Sequence, residues 1–239
     1  MTGPDMSSLK KTARIAGVLI LITVLFAPFS MIYVPSTLIV PGDAASTAKN
    51  IVASEGLFRL SIVSDAIVFL TEIVLVAVLY VLLKPVNKTL SLVAAFARLA
   101  MTVIQGINLV NRFVPLLLLS GAEYSSAFEP GQLHALVLLS LNTYEAVSLI
   151  WGLFFGLHLG FLGYLVYRSG YIPRIVGGLL VFASVCYLAS AFGIILLPKS
   201  KAIFDTIGFL SLTEAAFPLW LLIKGIDVAK WKKRAGATV

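Results

Sequence analysis

The sequence has 239 residues, of which 59% are hydrophobic and only 12% are charged. Soluble domains carry about twice that charged fraction, so the composition excludes a water-soluble globular fold. The net charge of +7 does not indicate nucleic-acid binding, because the basic residues stand at the ends of apolar runs and form no patch interleaved with aromatic residues.

The apolar runs predict an all-α, polytopic membrane helical bundle that forms a single membrane domain over residues 1–239. A bilayer core about 30 Å thick requires roughly 20 apolar residues per helix. Six runs meet this length, approximately at residues 15–38, 57–83, 90–119, 134–167, 175–197 and 207–223. We expect Pro28 and Pro35 to bend the first transmembrane helix. The fourth is so long that it must tilt, kink or protrude.

The distribution of Lys and Arg predicts the orientation of these helices. One side of the membrane collects twelve basic residues: Lys10, Lys11, Arg14, Lys84, Lys88, Arg168, Arg174, Lys224, Lys230, Lys232, Lys233 and Arg234. The other side has only Lys49, Arg59, Lys199 and Lys201. The asymmetry predicts a multi-pass protein of the cytoplasmic cell membrane whose N- and C-termini are both cytoplasmic.

Residues 43–53 predict a short amphipathic helix on the outer surface. Ala44, Ala48 and Ile51 repeat at helical spacing behind Asp43, which is a suitable N-cap. This helix is either an interfacial connector or a lid over a pocket.

Several longer stretches resemble a known family of prokaryotic membrane proteins. They read KKTARIAGVL, LIVPGDAASTAKNIVASEGLFRLSIVSD, YVLLKPVNKTLSLVAAFARL, SAFEPGQLHAL and GYLVYRSGYIPRIVGGLL. Together they are similar to the integral membrane proteins grouped as domain of unknown function 4386 (DUF4386), over about residues 10–226. The resemblance implies a multi-helix membrane protein and assigns no activity and no catalytic residue.

Ionisable residues inside the predicted helices indicate where a site could lie. A charge at the bilayer centre is costly, so such residues usually face a bundle interior or a cavity. Glu72 lies eleven residues before Leu83, and Arg98 lies ten residues after Lys88. In a hairpin of the second and third helices both therefore lie about 15 Å deep, where an ion pair is geometrically natural.

His158 and Glu214, on the fourth and sixth helices, are expected at the same depth near the midplane. With Glu72 and Arg98 they would form one polar pocket, provided that the rotation of each helix turns them toward one another. The alternative is that these charges are paired only to hold the helices in register.

A second polar level is expected nearer the outer face. Asp65 precedes Glu72 by seven residues, and Gln105 and Arg112 follow Arg98 at successive sevens, so each set shares a helix face. The side chains expected at this level are Asp65, Asn108, Asn111, Arg112, Asn142 and Glu145. Arg112 and Glu145 have the alternative of extending to the interface. The candidate substrate-binding residues are Glu72, Arg98, His158, Glu214, Asp65, Gln105 and Asn108.

Other kinds of site find no support in the sequence. Two histidines and scattered carboxylates make no metal motif, and no nucleotide or cofactor motif is present, so we expect neither a metal nor a cofactor. The single cysteine, Cys186, excludes an intrachain disulfide. Gly152, Gly156 and Gly160 form a small-residue stripe, which either packs within the chain or forms a homodimer.

Three functional hypotheses follow. The first is a carrier or binding protein for a small anionic or amphipathic molecule, in which Arg98 holds the anion and Glu72 or Glu214 couples protonation to movement. The second is an intramembrane enzyme that acts on lipid or isoprenoid substrates with a carboxylate and His158 as acid and base. The third is a structural or accessory membrane protein.

Overall fold

The computed structural model describes residues 6–236, and these form helices and short connections without any β-strand. Six helical segments of this part are long and apolar enough to cross a membrane. They are Leu9–Leu38, Glu55–Leu83, Lys88–Leu118, Pro130–Ser169, Arg174–Leu196 and Pro198–Ile223.

The helices are numbered here in chain order. They are α1 (Met6–Pro28), α2 (Val34–Leu38), α3 (Ala44–Ala53), α4 (Glu55–Leu83), α5 (Lys88–Asn108), α6 (Val110–Leu118), α7 (Pro130–Ser169), α8 (Arg174–Leu196), α9 (Lys201–Phe209), α10 (Ala216–Ile223) and α11 (Val228–Gly236). A π-helical segment, Phe29–Tyr33, joins α1 to α2. Short 3₁₀ segments lie at Glu123–Ala127, Pro198–Ser200 and Leu210–Ala215.

The first transmembrane segment changes its hydrogen-bonding pattern between its two prolines. Pro35 has no N–H, and the N–H of Val34 bonds to the carbonyl of Phe29, five residues back. The carbonyl of Ser30 is therefore left without a helical donor. The two prolines thus produce a π-helical defect, and another part of the chain must satisfy the freed carbonyl.

The hairpin between α4 and α5 is closed by a short turn. The amide of Val86 bonds to the carbonyl of Leu83 at 2.9 Å, and the side chain of Asn87 accepts a hydrogen bond from the amide of Leu90, also at 2.9 Å. Asn87 therefore caps the start of α5. This turn determines which residues of the two helices lie opposite each other.

The last transmembrane segment begins earlier than the apolar run at 207 predicts. It starts at Pro198, and Lys201 and Asp205 form an ion pair of 2.9 Å one helical turn apart in its first part. Its middle is the 3₁₀ segment Leu210–Ala215, which contains Glu214. α7, by contrast, is one helix of 40 residues.

The chain forms two compact units. Unit one comprises residues up to Leu21, Thr71–Thr102 and residues from Leu149 onward, whereas unit two comprises Ile22–Leu70 and Val103–Ser148. Each unit has its own apolar core. The core of unit one includes Leu75, Leu162, Leu180 and Leu221. The core of unit two includes Val34, Ile51, Phe58 and Val137.

Within unit two, α3 is the short helix expected at residues 43–53. The side chain of Asp43 accepts a hydrogen bond from the amide of Ser46 at 2.9 Å and is its N-cap. The hydroxyl of Ser46 also donates to this carboxylate, and this bond together with the amide bond lowers the pKa of Asp43. Ile51 faces the core, and the hydroxyl of Thr47 accepts a bond from the amide of Val40. α3 is thereby fixed against the end of the preceding segment.

Within unit one, the glycine stripe of α7 packs against α8. The hydroxyl of Ser184 donates to the carbonyl of Gly156 at 2.6 Å, and a Cβ atom on Gly163 would lie 2.8 Å from the carbonyl oxygen of Gly177. The two backbones approach this closely only because neither glycine has a side chain. The homodimer through Gly152, Gly156 and Gly160 stays a prediction, and it competes with this packing.

Candidate functional site

The first candidate is a charge cluster in unit one, formed by Glu72, Arg98 and His158 and called the Arg98 cluster here. Arg98 donates through Nη2 to Oε1 of Glu72 at 2.8 Å and through Nε to Oε2. Both side chains are buried. A bidentate pair of this kind is a strong interaction, and it is the pair that counting along the hairpin predicts.

His158 completes this cluster, and its hydrogen bonds determine its protonation. Nη1 of Arg98 lies 2.9 Å from Nε2 of His158. A guanidinium can only donate, so Nε2 accepts and the ring hydrogen is on Nδ1. Nδ1 donates to the carbonyl of Ala94 at 2.8 Å. His158 is therefore a neutral histidine with both nitrogens engaged.

The side chains of the Arg98 cluster are closely packed. The cavity beside Arg98 and His158 measures about 10 Å³, which is about the room that one water molecule needs. Phe155 covers the cluster, with its ring stacked on His158 at 6.1 Å between centroids and 5.8 Å from the guanidinium carbon of Arg98. This cavity is too small to hold a small-molecule ligand.

Glu214 does not join the Arg98 cluster directly. Its carboxylate accepts a hydrogen bond of 3.2 Å from the hydroxyl of Tyr187. The ring of Tyr187 contacts Phe155 edge to face, with the centroids 4.9 Å apart. Of the four residues expected at one level, three therefore meet, whereas Glu214 lies behind two aromatic rings.

The second candidate is a cluster in unit two, formed by Ser30, Ser61, Asp65, Arg112 and Tyr144 and called the Arg112 cluster. Asp65 and Arg112 are 2% and 3% exposed, and Nε of Arg112 lies 3.7 Å from Oδ2 of Asp65. Nη1 donates to the hydroxyl of Ser61 at 3.0 Å, and Nη2 donates to the carbonyl of Ser30 at 2.9 Å. The carboxylate of Asp65 accepts from the hydroxyls of Ser30 and Tyr144.

Tyr144 also holds the arginine through its ring. The guanidinium carbon of Arg112 lies 4.3 Å from the ring centroid, within the range of a cation–π interaction. Nε of Arg112 is the one guanidinium nitrogen of this residue for which the described residues provide no hydrogen-bond acceptor. The side chain is thus held firmly, although only two of its five N–H groups donate to acceptors among the described residues.

The buried amides beside this cluster connect α5 to α7. Asn108 donates to the carbonyl of Tyr144 at 2.9 Å, and Gln105 donates to the hydroxyl of Ser148 at 3.1 Å. Asn111 donates in turn to the side-chain oxygen of Asn108. Gln105 and Asn108 therefore fix the backbone that carries Tyr144.

A cleft of about 340 Å³ lies beside the Arg112 cluster, entirely within unit two. It is called the Arg112 cleft. Its lining includes Arg112, Asn142, Tyr144, Glu145 and Ser148 on the polar side, and Met31, Val34, Pro35, Leu38, Ile39, Phe58 and Leu141 on the apolar side. Small-molecule sites have this size and this composition, with mostly apolar walls and a few placed polar groups.

Several residues of this site escaped the sequence analysis. Ser30, Ser61 and Tyr144 are partners of the Asp65–Arg112 pair, although only the charged residues stood out by type. Sequence patterns exist for two of them. Ser61 lies one helical turn before Asp65, and Ser30 lies five residues before a proline, where its carbonyl loses a hydrogen-bond donor.

A multi-pass helical membrane protein, with buried ion pairs and a cleft beside one of them, is the class that this fold and site define. The chain belongs to the family described as domain of unknown function (DUF4386), whose model matches residues 15–225. It is 27% identical over 167 residues to an uncharacterised protein of Archaeoglobus fulgidus. The aligned region covers 69% of this chain and 83% of that protein. No solved structure matches it.

Proposed function

We propose that the protein binds a small amphipathic molecule in the Arg112 cleft and acts as a carrier or binding protein for it. The observation behind this proposal is the cleft itself, an apolar space of about 340 Å³ with a buried arginine in its wall. The apolar part of the ligand would contact Val34, Phe58 and Leu141, and its polar group would face Arg112 and Tyr144.

The chemistry of Arg112 supports this role. Two of its nitrogens are already held by Ser61 and by the Ser30 carbonyl, so binding does not require the side chain to be ordered again. Nη1 and Nη2 each have a second N–H group, and these can donate to an oxygen of the ligand. Because Asp65 balances the charge of Arg112, a neutral hydroxyl or carbonyl group suits the site at least as well as an anion.

The Arg98 cluster then has a structural role. Arg98 is packed between Glu72, His158 and Phe155, and the cavity of about 10 Å³ beside it is too small for a ligand. The sequence predicted that Arg98 binds the ligand, and we propose that Arg112 has this role instead. The engaged ring nitrogens of His158 give no support to the enzyme hypothesis.

We further propose that both termini are cytoplasmic and that the membrane is the cell membrane. The count of twelve basic residues against four supports this orientation. Leu38 and Ile39, which line the cleft, stand at the end of the first transmembrane segment. With a cytoplasmic N-terminus, a ligand would enter the Arg112 cleft from the outer side.

Photocrosslinking in proteoliposomes tests this function. The probes are diazirine derivatives of dodecanol and of dodecanoate, and the crosslinked peptides are identified by mass spectrometry. We expect labelling of peptides that contain Met31 and Leu141, and its loss in Asn142→Trp, which places a large ring at the cleft. Leu139→Trp is the matched control, because Leu139 lies on the same helix, is 60% exposed and does not line the cleft.

The outcomes are distinct. Labelling that spreads evenly over all lipid-facing helices, or that persists in Asn142→Trp, would contradict a specific site. Stronger labelling by the dodecanol probe than by the dodecanoate probe is expected if Asp65 neutralises Arg112, and the reverse order would show that the cleft selects anions. Uptake of the labelled probe into proteoliposomes then separates a carrier from a binding protein.

A further inference from the structure

The N-terminal end of α1 carries a basic face with apolar residues directly beyond it. Lys10, Lys11 and Arg14 are all exposed and lie within about one helical turn of one another. Among the described residues none of the three forms an ion pair with a carboxylate. Three cations here thus lack a counter-charge from residues 6–236.

A groove of about 460 Å³ lies against this face, and every described residue that lines it belongs to α1. Its described lining is Lys10, Lys11, Arg14, Ile15, Val18 and Leu19. The basic residues lie at one end and the apolar residues at the other, and Leu19 lies roughly 13 Å from Lys10 along the helix axis. The described lining includes no acidic residue, so this part of the groove is positive at one end and apolar at the other.

The groove also lies where a lipid would lie. The first transmembrane segment begins at Leu9, so Lys10, Lys11 and Arg14 stand at the start of the span, where lipid phosphates are found, and Val18 stands within it. Lys and Arg bind phosphate oxygens through charge-assisted hydrogen bonds, and each basic residue near anionic lipid adds to the affinity.

We propose that this groove binds one molecule of an anionic phospholipid. The phosphate group contacts Lys10, Lys11 and Arg14, and one acyl chain lies along Ile15, Val18 and Leu19. The site belongs to unit one and is independent of the Arg112 cleft, so either proposal can fail without the other. It accounts for a cluster of charges that the proposed carrier function does not use.

Native mass spectrometry of the full chain tests the charged end of the site. The protein is incubated in mixed micelles with equal amounts of phosphatidylglycerol and phosphatidylcholine that carry the same acyl chains. We expect the native protein to retain phosphatidylglycerol over phosphatidylcholine, at a ratio roughly tenfold or more above that of a variant in which Lys10, Lys11 and Arg14 are all replaced by Gln. An unchanged ratio in this variant would overturn the proposal.

The matched control removes the same charges elsewhere in unit one. Replacement of Lys232, Lys233 and Arg234 by Gln also neutralises two lysines and one arginine, all exposed and on α11. We expect this control to keep the preference for phosphatidylglycerol. An equal loss in both variants would mean that a diffuse basic surface attracts anionic lipid, and the groove would be rejected as a site.

The apolar end is tested separately, with the charges intact. Val18→Trp should reduce lipid retention by filling the groove, whereas Val24→Trp should not, because Val24 is comparably exposed on the same helix and does not line the groove. Millimolar glycerol 3-phosphate should not displace the lipid. Displacement by this soluble phosphate, or full retention in Val18→Trp, would show that no acyl chain is bound and would overturn the lipid site.

Discussion

The main-chain carbonyl of Ser30 accepts its hydrogen bond from Nη2 of Arg112, which lies 82 positions further along the chain. The carbonyl is available because Pro35 provides no N–H and Val34 bonds to Phe29 instead. A buried arginine needs acceptors, and a helix broken by proline has one to offer. The helix defect and the buried charge therefore satisfy each other, and together they fix Arg112 at the wall of its cleft.

This relationship predicts that Pro35 and Arg112 are energetically coupled. Pro35→Ala restores an N–H five residues after Ser30, which can compete with Arg112 for the carbonyl. We expect Arg112→Met to cost less stability in the Pro35→Ala background than in the native protein. The expected coupling is about 0.5–3 kcal/mol in a double-mutant cycle, measured from free energies of unfolding in mixed micelles.

The cycle has an internal control. Loss of Arg112 leaves Asp65 without its cation in both backgrounds, so this cost cancels and only the effect of Pro35 remains. Additive free energies for the two substitutions would show that the proline and the arginine are independent.

The Arg98 cluster makes a second prediction. Arg98→Met leaves the carboxylate of Glu72 buried without its partner, and such a loss costs about 3–5 kcal/mol. Glu72→Met combined with Arg98→Met removes both charges, and we expect most of the stability to return. Reversible unfolding in mixed micelles measures each variant.

The same cycle separates a structural role from a functional one. If ligand labelling and uptake survive in the stable double variant, the Arg98 cluster holds helices together and does no more. A double variant that is as unstable as Arg98→Met would contradict this expectation. It would show that the Glu72–Arg98 pair makes a net contribution to the stability of unit one that two apolar side chains do not replace.

How far the sequence predicts these sites depends on what residue counting can measure. Depth in a hairpin follows from the rise per residue, which is why counting from Leu83 and Lys88 matched Glu72 with Arg98. Rotation about a helix axis is a different quantity. Glu214 lies in the 3₁₀ segment Leu210–Ala215, where successive residues turn by about 120° instead of about 100°, so its direction could not be extrapolated from an α-helical count.

The Arg112 cleft could not be predicted from the sequence for a related reason. Its walls come from segments far apart in the chain, among them Met31, Phe58 and Leu141, and most of them are ordinary apolar residues. Hydropathy predicts that such residues are buried or face lipid, and it does not predict where packing leaves a gap. The polar level expected near the outer face did include Arg112, Asn142 and Glu145, so the charges were a partial guide to the cleft.

A third prediction concerns pH and the C-terminal helix α11. The side chain of Asp227 accepts a hydrogen bond from the amide of Lys230 and caps this helix, and the bond lowers the pKa of Asp227 below 3.8. Trp231 anchors the helix by donating to the carbonyl of Leu82 at 2.8 Å. Because the folded-state pKa is lowered, the cap stabilises α11 fully above pH 3.8 and is lost as the pH falls through the lower folded value.

Hydrogen exchange of the α11 amides, corrected for the intrinsic rate at each pH, measures this effect. We expect protection to decrease as the pH falls below 3.8, and Asp227→Asn to remove most of that dependence, since asparagine also caps helices but does not titrate in this range. Asp43, which caps α3, serves as the control, because its own low-pH transition should persist in Asp227→Asn. A pH dependence of α11 that survives this substitution would assign the effect to another group.

The fourth prediction uses two adjacent glycines of α8 that differ only in what surrounds them. A Cβ atom on Gly177 would lie 2.5 Å from the backbone nitrogen of Tyr167, whereas one on Gly178 would have open space around it. Gly177→Ala should therefore force α7 and α8 apart and destabilise unit one, because a backbone atom cannot move aside as a flexible side chain can.

Gly178→Ala should be neutral or stabilising by up to about 1 kcal/mol, because alanine favours a helix over glycine and meets no neighbour. Both substitutions add the same methyl group to the same helix, so their difference isolates the close approach of α7 and α8. Thermal unfolding of the two variants in the same detergent measures it. Equal stabilities would mean that the helices are not in backbone contact at Gly177.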